Sequence, residues 1–191
     1  DLDPGDLRQT IEKLALYKLG EATPLNAADI AACAPASTEA GMDDILKIVV
    51  INRYLANADP AIAFVKGFGL KDGALASSVA HDSHNIVIAG TNDADMRHAL
   101  EAIVAMNGGL VVVNNGNTLA SLPLPIAGLM SDRPLHQVRD AVEALHDAYH
   151  QLGGDLSDPF MQLAFLALPV IPTLKLTDQG LVDVEKFEIV S

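Results

Sequence analysis

Tryptophan is absent and cysteine occurs once, at Cys33, in a chain of 191 residues. A single thiol closes no internal disulfide, so a reducing, cytoplasmic setting is expected. Aromatic residues make up only 4%, which leaves few of the flat faces on which single-stranded bases stack. Basic residues are also scarce: 12 Lys and Arg stand against 25 Asp and Glu, for a net charge of −13. Such a surface repels phosphate backbones and anionic lipid, which argues against nucleic-acid and membrane-surface partners. Long apolar runs are missing too, since the longest, Leu163 to Ile171, is far short of a bilayer span. No N-terminal stretch combines a basic start, an apolar core and a cleavage site, so no secretory signal is expected. The chain opens on Asp1 instead of Met, as a processed protein or a piece of a longer one would.

What is present reads as globular. Apolar residues reach 50% and charged residues 19%, enough to bury one core with a small appendage. Residues 1–43 have the texture of a helical arm and linker. Leu7, Ile11, Leu14 and Leu19 fall near one helical face before Gly20, and a second short helix is expected from Leu25 to Cys33. From Asp44 the pattern turns to strands. Ile45–Ile51 is β-branched and apolar, and strands are expected over Ile62–Phe68, Ala74–Ala80 and Asn85–Ala89. Thr91-Asn92-Asp93 offers helix caps for a helix over 93–106 that ends at Asn107-Gly108-Gly109. Asn114-Asn115-Gly116-Asn117 predicts a tight hairpin turn, because Asn and Gly tolerate positive φ. Leu135, Val138, Val142, Leu145, Tyr149 and Leu152 mark an amphipathic helix over 135–152. A short helix from Asp158-Pro159 to Leu168 and a hairpin about Thr177–Gly180 complete the pattern. Hairpins interleaved with helices make this an α+β fold with a mainly antiparallel sheet over residues 44–191.

The densest polar group is His81-Asp82-Ser83-His84-Asn85, set between two apolar strands. Three readings are open. His81 and His84 can share a metal with Asp82 as third ligand or orienting partner. Either imidazole can carry protons near neutrality. Or the segment is a polar turn whose Asp and Ser bond their own backbone. His146 and His150 have the i, i+4 spacing of helical zinc pairs but lie at the solvent edge of the apolar stripe, as a solvated helix face would. His98 and His136 read as surface residues of their helices, and Cys33 as a small buried residue of an Ala-rich helix. Gly67–Gly73 is glycine-rich but does not open a helix, so it reads as a wide turn and not a phosphate cradle. The proline-rich passage from Pro123 to Pro134 suits either an apolar binding edge or a buried crossover.

Longer strings carry a resemblance. Phe64-Val65-Lys66-Gly67-Phe68-Gly69-Leu70-Lys71-Asp72-Gly73-Ala74 and Ala76-Ser77-Ser78-Val79-Ala80-His81-Asp82-Ser83-His84-Asn85-Ile86 are the first of them. Gly90-Thr91-Asn92-Asp93, Leu122-Pro123-Leu124-Pro125-Ile126-Ala127-Gly128-Leu129-Met130-Ser131 and Asp158-Pro159-Phe160-Met161 follow. Leu166-Ala167-Leu168-Pro169-Val170-Ile171-Pro172 and Leu174-Lys175-Leu176-Thr177-Asp178 complete the series. From about Asp44 to Asp183 the chain resembles the C-terminal domain of adenine deaminases of the amidohydrolase superfamily. The resemblance implies hydrolytic deamination of adenine to hypoxanthine and ammonia. It implies a divalent metal (manganese, iron or zinc) in a (β/α)₈ barrel that precedes this region and for which this chain has no room, so no cofactor is assigned to the chain itself. It further implies that His81, Asp82, Ser83 and His84 face the barrel mouth, and that the whole enzyme is a homo-oligomer. Residues 1–43 do not resemble the segment joining barrel and C-terminal domain, so a fragment, a split subunit and a stand-alone paralogue are all compatible with the strings. The competing expectation is a non-catalytic purine-binding or assembly module that keeps the fold.

Overall fold

The computed structural model describes residues 44–55 and 58–190; the expected helical arm and Cys33 lie outside them. The described chain runs β1 (Ile45–Ile51), β2 (Ala61–Lys66), β3 (Ala74–Ser77), β4 (Ile86–Gly90), α1 (Asp93–Ala105), β5 (Gly109–Asn114) and β6 (Asn117–Pro123). It continues through α2 (Leu135–Gln151), α3 (Pro159–Leu166), β7 (Leu174–Thr177), β8 (Gly180–Asp183) and β9 (Glu188–Ile189). A six-stranded sheet has the order β2-β1-β4-β3-β5-β6, and β7-β8-β9 form a smaller second sheet. Every strand pairing in both sheets is antiparallel. The fold is therefore α+β with a mainly antiparallel sheet, and both faces of that sheet are covered.

Coverage explains the strand sequences. On one face Leu46, Ile48, Val50, Val87 and Val112 meet Leu145 and Tyr149 of α2 and Leu163 of α3. On the other, Val49, Ile51, Ile86, Ile88, Val111 and Val113 meet Met96, Leu100 and Ile103 of α1. Strands buried on both sides carry apolar residues on both faces, which is why β4, and β1 apart from Lys47, show runs and not alternation; Lys47 pairs with Asp93 at the start of α1. Edge strand β2 does alternate, with Ala61, Ala63 and Val65 against the core and Ile62 and Phe64 outward.

Caps and turns sit where the residue types place them. Asn92 caps α1 by accepting the Asp95 N–H at 2.9 Å, and Asp158 caps α3 by accepting the Met161 N–H at 3.0 Å. Asn115 and Gly116 hold φ of 49° and 70°, the left-handed pair that a two-residue hairpin turn needs. Asp95 ties this turn to α1 by accepting the Gly116 N–H at 2.8 Å. Two elements differ from the sequence reading. Strand β3 stops at Ser77 instead of reaching Ala80, because the next backbone donors are taken by side chains: the Val79 N–H by Ser77 Oγ at 2.9 Å and the Ala80 N–H by His84 Nδ1 at 3.3 Å. The last hairpin gains β9 and forms a separate sheet, a pairing that a two-residue strand cannot announce in sequence.

The glycine-rich turn is closed from outside. Asp44 accepts the N–H groups of Gly67 and Gly69 at 2.7 and 2.6 Å. The buried Tyr149 hydroxyl donates to the Phe68 carbonyl, and burial pushes this phenol up, so it stays a protonated donor. The Tyr149 ring lies on Gly154, where a Cβ would sit 2.1 Å from the ring. Tyr149→Phe should cost about 1–3 kcal/mol by orphaning the Phe68 carbonyl. Gly154→Ala should cost about as much, through overpacking against the ring. Urea titration of both variants checks this; a change under ~0.5 kcal/mol in both would show that α2 does not anchor the turn.

Candidate functional site

The polar segment between β3 and β4 forms a turn over 81–83, with His84 at φ 51°. That left-handed backbone brings the ring back over its own turn, so that the Ala80 N–H donates to His84 Nδ1 at 3.3 Å. The His84 N–H donates to the Ala80 carbonyl and closes the loop. His81 meets His84 edge to face, with ring centroids 5.4 Å apart. His81 and His84 are half-buried while Asp82 and Ser83 are exposed. Behind them Asn85 is buried, at 2% exposure, and its Oδ1 has no hydrogen-bond partner among the described residues.

Asp82 and Ser83 line a cleft of about 350 Å³ that opens toward the second sheet. Its other walls include Pro169, Val170, Thr177, Asp178, Gln179 and Ile189. Neither histidine lines it. Asp178 is held in place by Asn52 at the end of β1, whose Nδ2 donates to Oδ2 at 2.7 Å. A partly apolar cleft with two carboxylates, two hydroxyls and an amide suits a small ligand rich in donors.

Arg53 follows Asn52 and passes behind the turn. It retains only 9% exposure, and its Nη2 donates to the Ala127 carbonyl at 2.7 Å. This draws in the proline-rich passage, where Ile126 and Met130 pair through backbone hydrogen bonds at 3.1 and 3.2 Å. The passage is buried in part and exposed in part. Leu124 is buried, whereas Ile126 and Met130 are exposed. Burial lowers the His84 pKa, and the nearby His81 and Arg53 charges lower it further against an opposing pull from Asp82.

A metal does not fit these residues. Among the described residues no group of three or more His, Cys, Asp and Glu side chains can hold an ion. His84 Nδ1 faces a backbone N–H, which leaves a two-imidazole pair with its rings crossed. His150 binds the Gly154 carbonyl through Nδ1 at 2.9 Å, and His98 Nε2 lies 3.4 Å from Thr118 Oγ1, so these imidazoles serve their own elements. Arg53, Asn52 and Asp178 were not visible as site residues in sequence. The Asn52-Arg53 pair following an apolar strand was the one local signal, and their partners lie 74 and 126 positions away.

Comparison with known proteins decides the family. Residues 28–188 match the family model for the adenine deaminase C-terminal domain. The chain belongs to this family. It is 55% identical over 149 residues to an adenine deaminase of Desulfatibacillum aliphaticivorans, covering 78% of this chain and 26% of that protein. It is 54% identical over 147 residues to an adenine deaminase of Brucella anthropi, covering 77% of this chain and 26% of that protein. A Syntrophobacter fumaroxidans adenine deaminase is 52% identical over 148 residues, covering 78% and 26%. The chain thus spans about a quarter of the length of these relatives. The matched region starts ahead of Asp44 and takes in the whole of the described turn, cleft and proline-rich passage. Among the described residues no helix is long and apolar enough to cross a membrane.

The lowered His84 pKa sets a pH dependence. Between the lowered folded value and the ordinary one near 6.5, the unfolded chain binds more protons than the folded one, so stability falls as pH drops through that window. Melting temperature should therefore fall more steeply from about pH 7 to pH 5 in the natural chain than in His84→Asn, which tolerates positive φ without titrating. Parallel curves for the two proteins would show that His84 is not protonated at a cost.

Proposed function

We propose that this chain is the C-terminal domain of a metal-dependent, amidohydrolase-type adenine deaminase, which replaces the exocyclic amine of adenine by oxygen from water and yields hypoxanthine and ammonia. The observation that carries the reading is the family match over 28–188 together with relatives named adenine deaminase at 52–55% identity. The domain is placed over residues 44–191, and residues 1–43 lie outside the described residues. Water activation falls to a barrel domain outside this chain, where a divalent manganese, iron or zinc ion belongs. The enzyme is cytoplasmic and homo-oligomeric, with adenine as its small-molecule substrate.

Within that enzyme the domain walls the active site. His81, Asp82, Ser83 and His84 face it, and two features support the assignment. The turn carries Asp82 and Ser83 outward from a sheet apolar on both faces, with His81 and His84 half-buried beside them and a buried guanidinium close enough to act on His84. A wall of this kind excludes bulk water and keeps substrate oriented; His84, which burial favours as neutral, accepts the Ala80 N–H at Nδ1, so its own proton sits on Nε2 and can be donated to substrate as a hydrogen bond.

A chimera tests this reading: this chain replaces the matching quarter of the Desulfatibacillum aliphaticivorans enzyme. The chimera should release ammonia from adenine, whereas this chain alone, supplied with manganese, iron(II) or zinc, should not. His81→Ala and His84→Asn, the latter chosen because Asn tolerates positive φ, should each lower kcat by roughly tenfold or more in the folded chimera, with unchanged metal content. Ammonia release by the chain alone would place the reaction centre within it. A folded chimera without activity would favour a non-catalytic purine-binding or assembly module.

A further inference from the structure

Among the described residues Arg53 is a charge without a counter-charge. It is nine-tenths buried, it makes no ion pair with a carboxylate among the described residues, and its Nε is buried without a partner. Its one hydrogen bond among the described residues goes from Nη2 to the Ala127 carbonyl, and its Cζ stacks 4.9 Å from the Tyr54 ring centroid. Nη1 lies against Gly128, where a Cβ would come within 2.2 Å of it. Lys175 is a comparably buried cation bonded only to the carbonyls of Leu174 and Pro172, but a lysine can relieve the cost by losing its proton. A guanidinium cannot, so Arg53 stays charged and needs an anion from elsewhere.

The surroundings are those of an interface centre. Tyr54, which Arg53 stacks on, is 61% exposed, and Ile126 and Met130, which flank the carbonyl that Arg53 binds, are 46% and 58% exposed. Buried Arg with exposed Tyr and Met around it is the composition enriched at binding hot spots. The rim is rigid: Ile126 and Met130 are paired by backbone hydrogen bonds, and Ser78 Oγ donates to the Gly128 carbonyl at 2.6 Å between them. A preformed apolar rim around a desolvated cation costs little to dock. About three-quarters of the length of the relatives lies outside this chain, and the rim adjoins the His81–His84 turn through Arg53.

Resting on the functional reading above, we infer that Arg53, Tyr54, Ile126 and Met130 form the surface on which the catalytic part of the same polypeptide docks, presenting a carboxylate to the Arg53 guanidinium and apolar side chains to the rim. Docking then sets the His81–His84 turn against the active site.

Hydrogen exchange reads this without reference to activity, so its failure is separable from failure of the deaminase reading. Backbone exchange at 52–55 and 124–131 is compared between this chain alone and the chimera with the Desulfatibacillum aliphaticivorans enzyme. Protection should rise by at least ~10-fold in the chimera, with no such change at 109–123. Met130→Asp, at an exposed position, should leave the melting temperature of the isolated chain within about 2 °C and abolish the added protection. Arg53→Lys should reduce it, because a point charge does not reproduce the forked donor. Equal protection in the isolated monomer and the chimera would overturn the proposal by showing that the chain covers this face itself. Protection that rises with concentration of the isolated chain, alongside dimer in sedimentation, would overturn it in favour of a second copy. Full added protection in Met130→Asp would equally place the docking surface elsewhere.

Discussion

The Ser78 hydroxyl holds together three segments of the fold that lie far apart in sequence. It accepts the Gly109 N–H at 2.8 Å and donates to the Gly128 carbonyl at 2.6 Å, fully buried in both directions. One side chain thereby ties the residue after β3 to the first residue of β5 and clamps the proline-rich passage onto the sheet. The clamp works only because Gly108 and Gly128 touch backbone to backbone, where a Cβ on Gly108 would lie 2.3 Å from Gly128 Cα. A buried hydroxyl satisfied as both donor and acceptor is stabilising, whereas the same group with one partner missing is costly, so the arrangement is strongly specified.

From that clamp the rest of the region follows. With Gly128 held, the Ala127 carbonyl meets Arg53, and Arg53 fixes the end of β1 beside the turn after β3. Asn52, one residue earlier, reaches across to Asp178 and ties the second sheet to the first. The polar turn is thus bounded by three segments far apart in sequence. Its histidines are turned on each other, and its Asp82 and Ser83 face the cleft.

The electrostatics fit a domain that works beside another. An excess of acidic residues keeps the free surface anionic, yet cations are buried at Arg53 and Lys175. Each is held by backbone carbonyls, which carry partial charge and no net charge.

Local sequence determined what depends on neighbours. The β-branched runs of β1 and β4, the Asn92 and Asp158 caps, the Asn115-Gly116 turn and the apolar stripe of α2 could be read because propensity, capping and periodicity act over a few residues. The His81–His84 cluster stood out for the same reason, as polar residues between two buried strands. The family strings were legible as well, and they carried the expected chemistry. Strand order, the separate β7–β9 sheet and the partners of Asn52, Ser78 and Arg53 were decided only by the tertiary structure. Those contacts span 31 to 126 positions, and no short-range pattern encodes which distant carbonyl a buried donor will meet. The closing of the proline-rich passage on Arg53 belongs with them, since a glycine needed for close approach looks in sequence like any glycine of a turn.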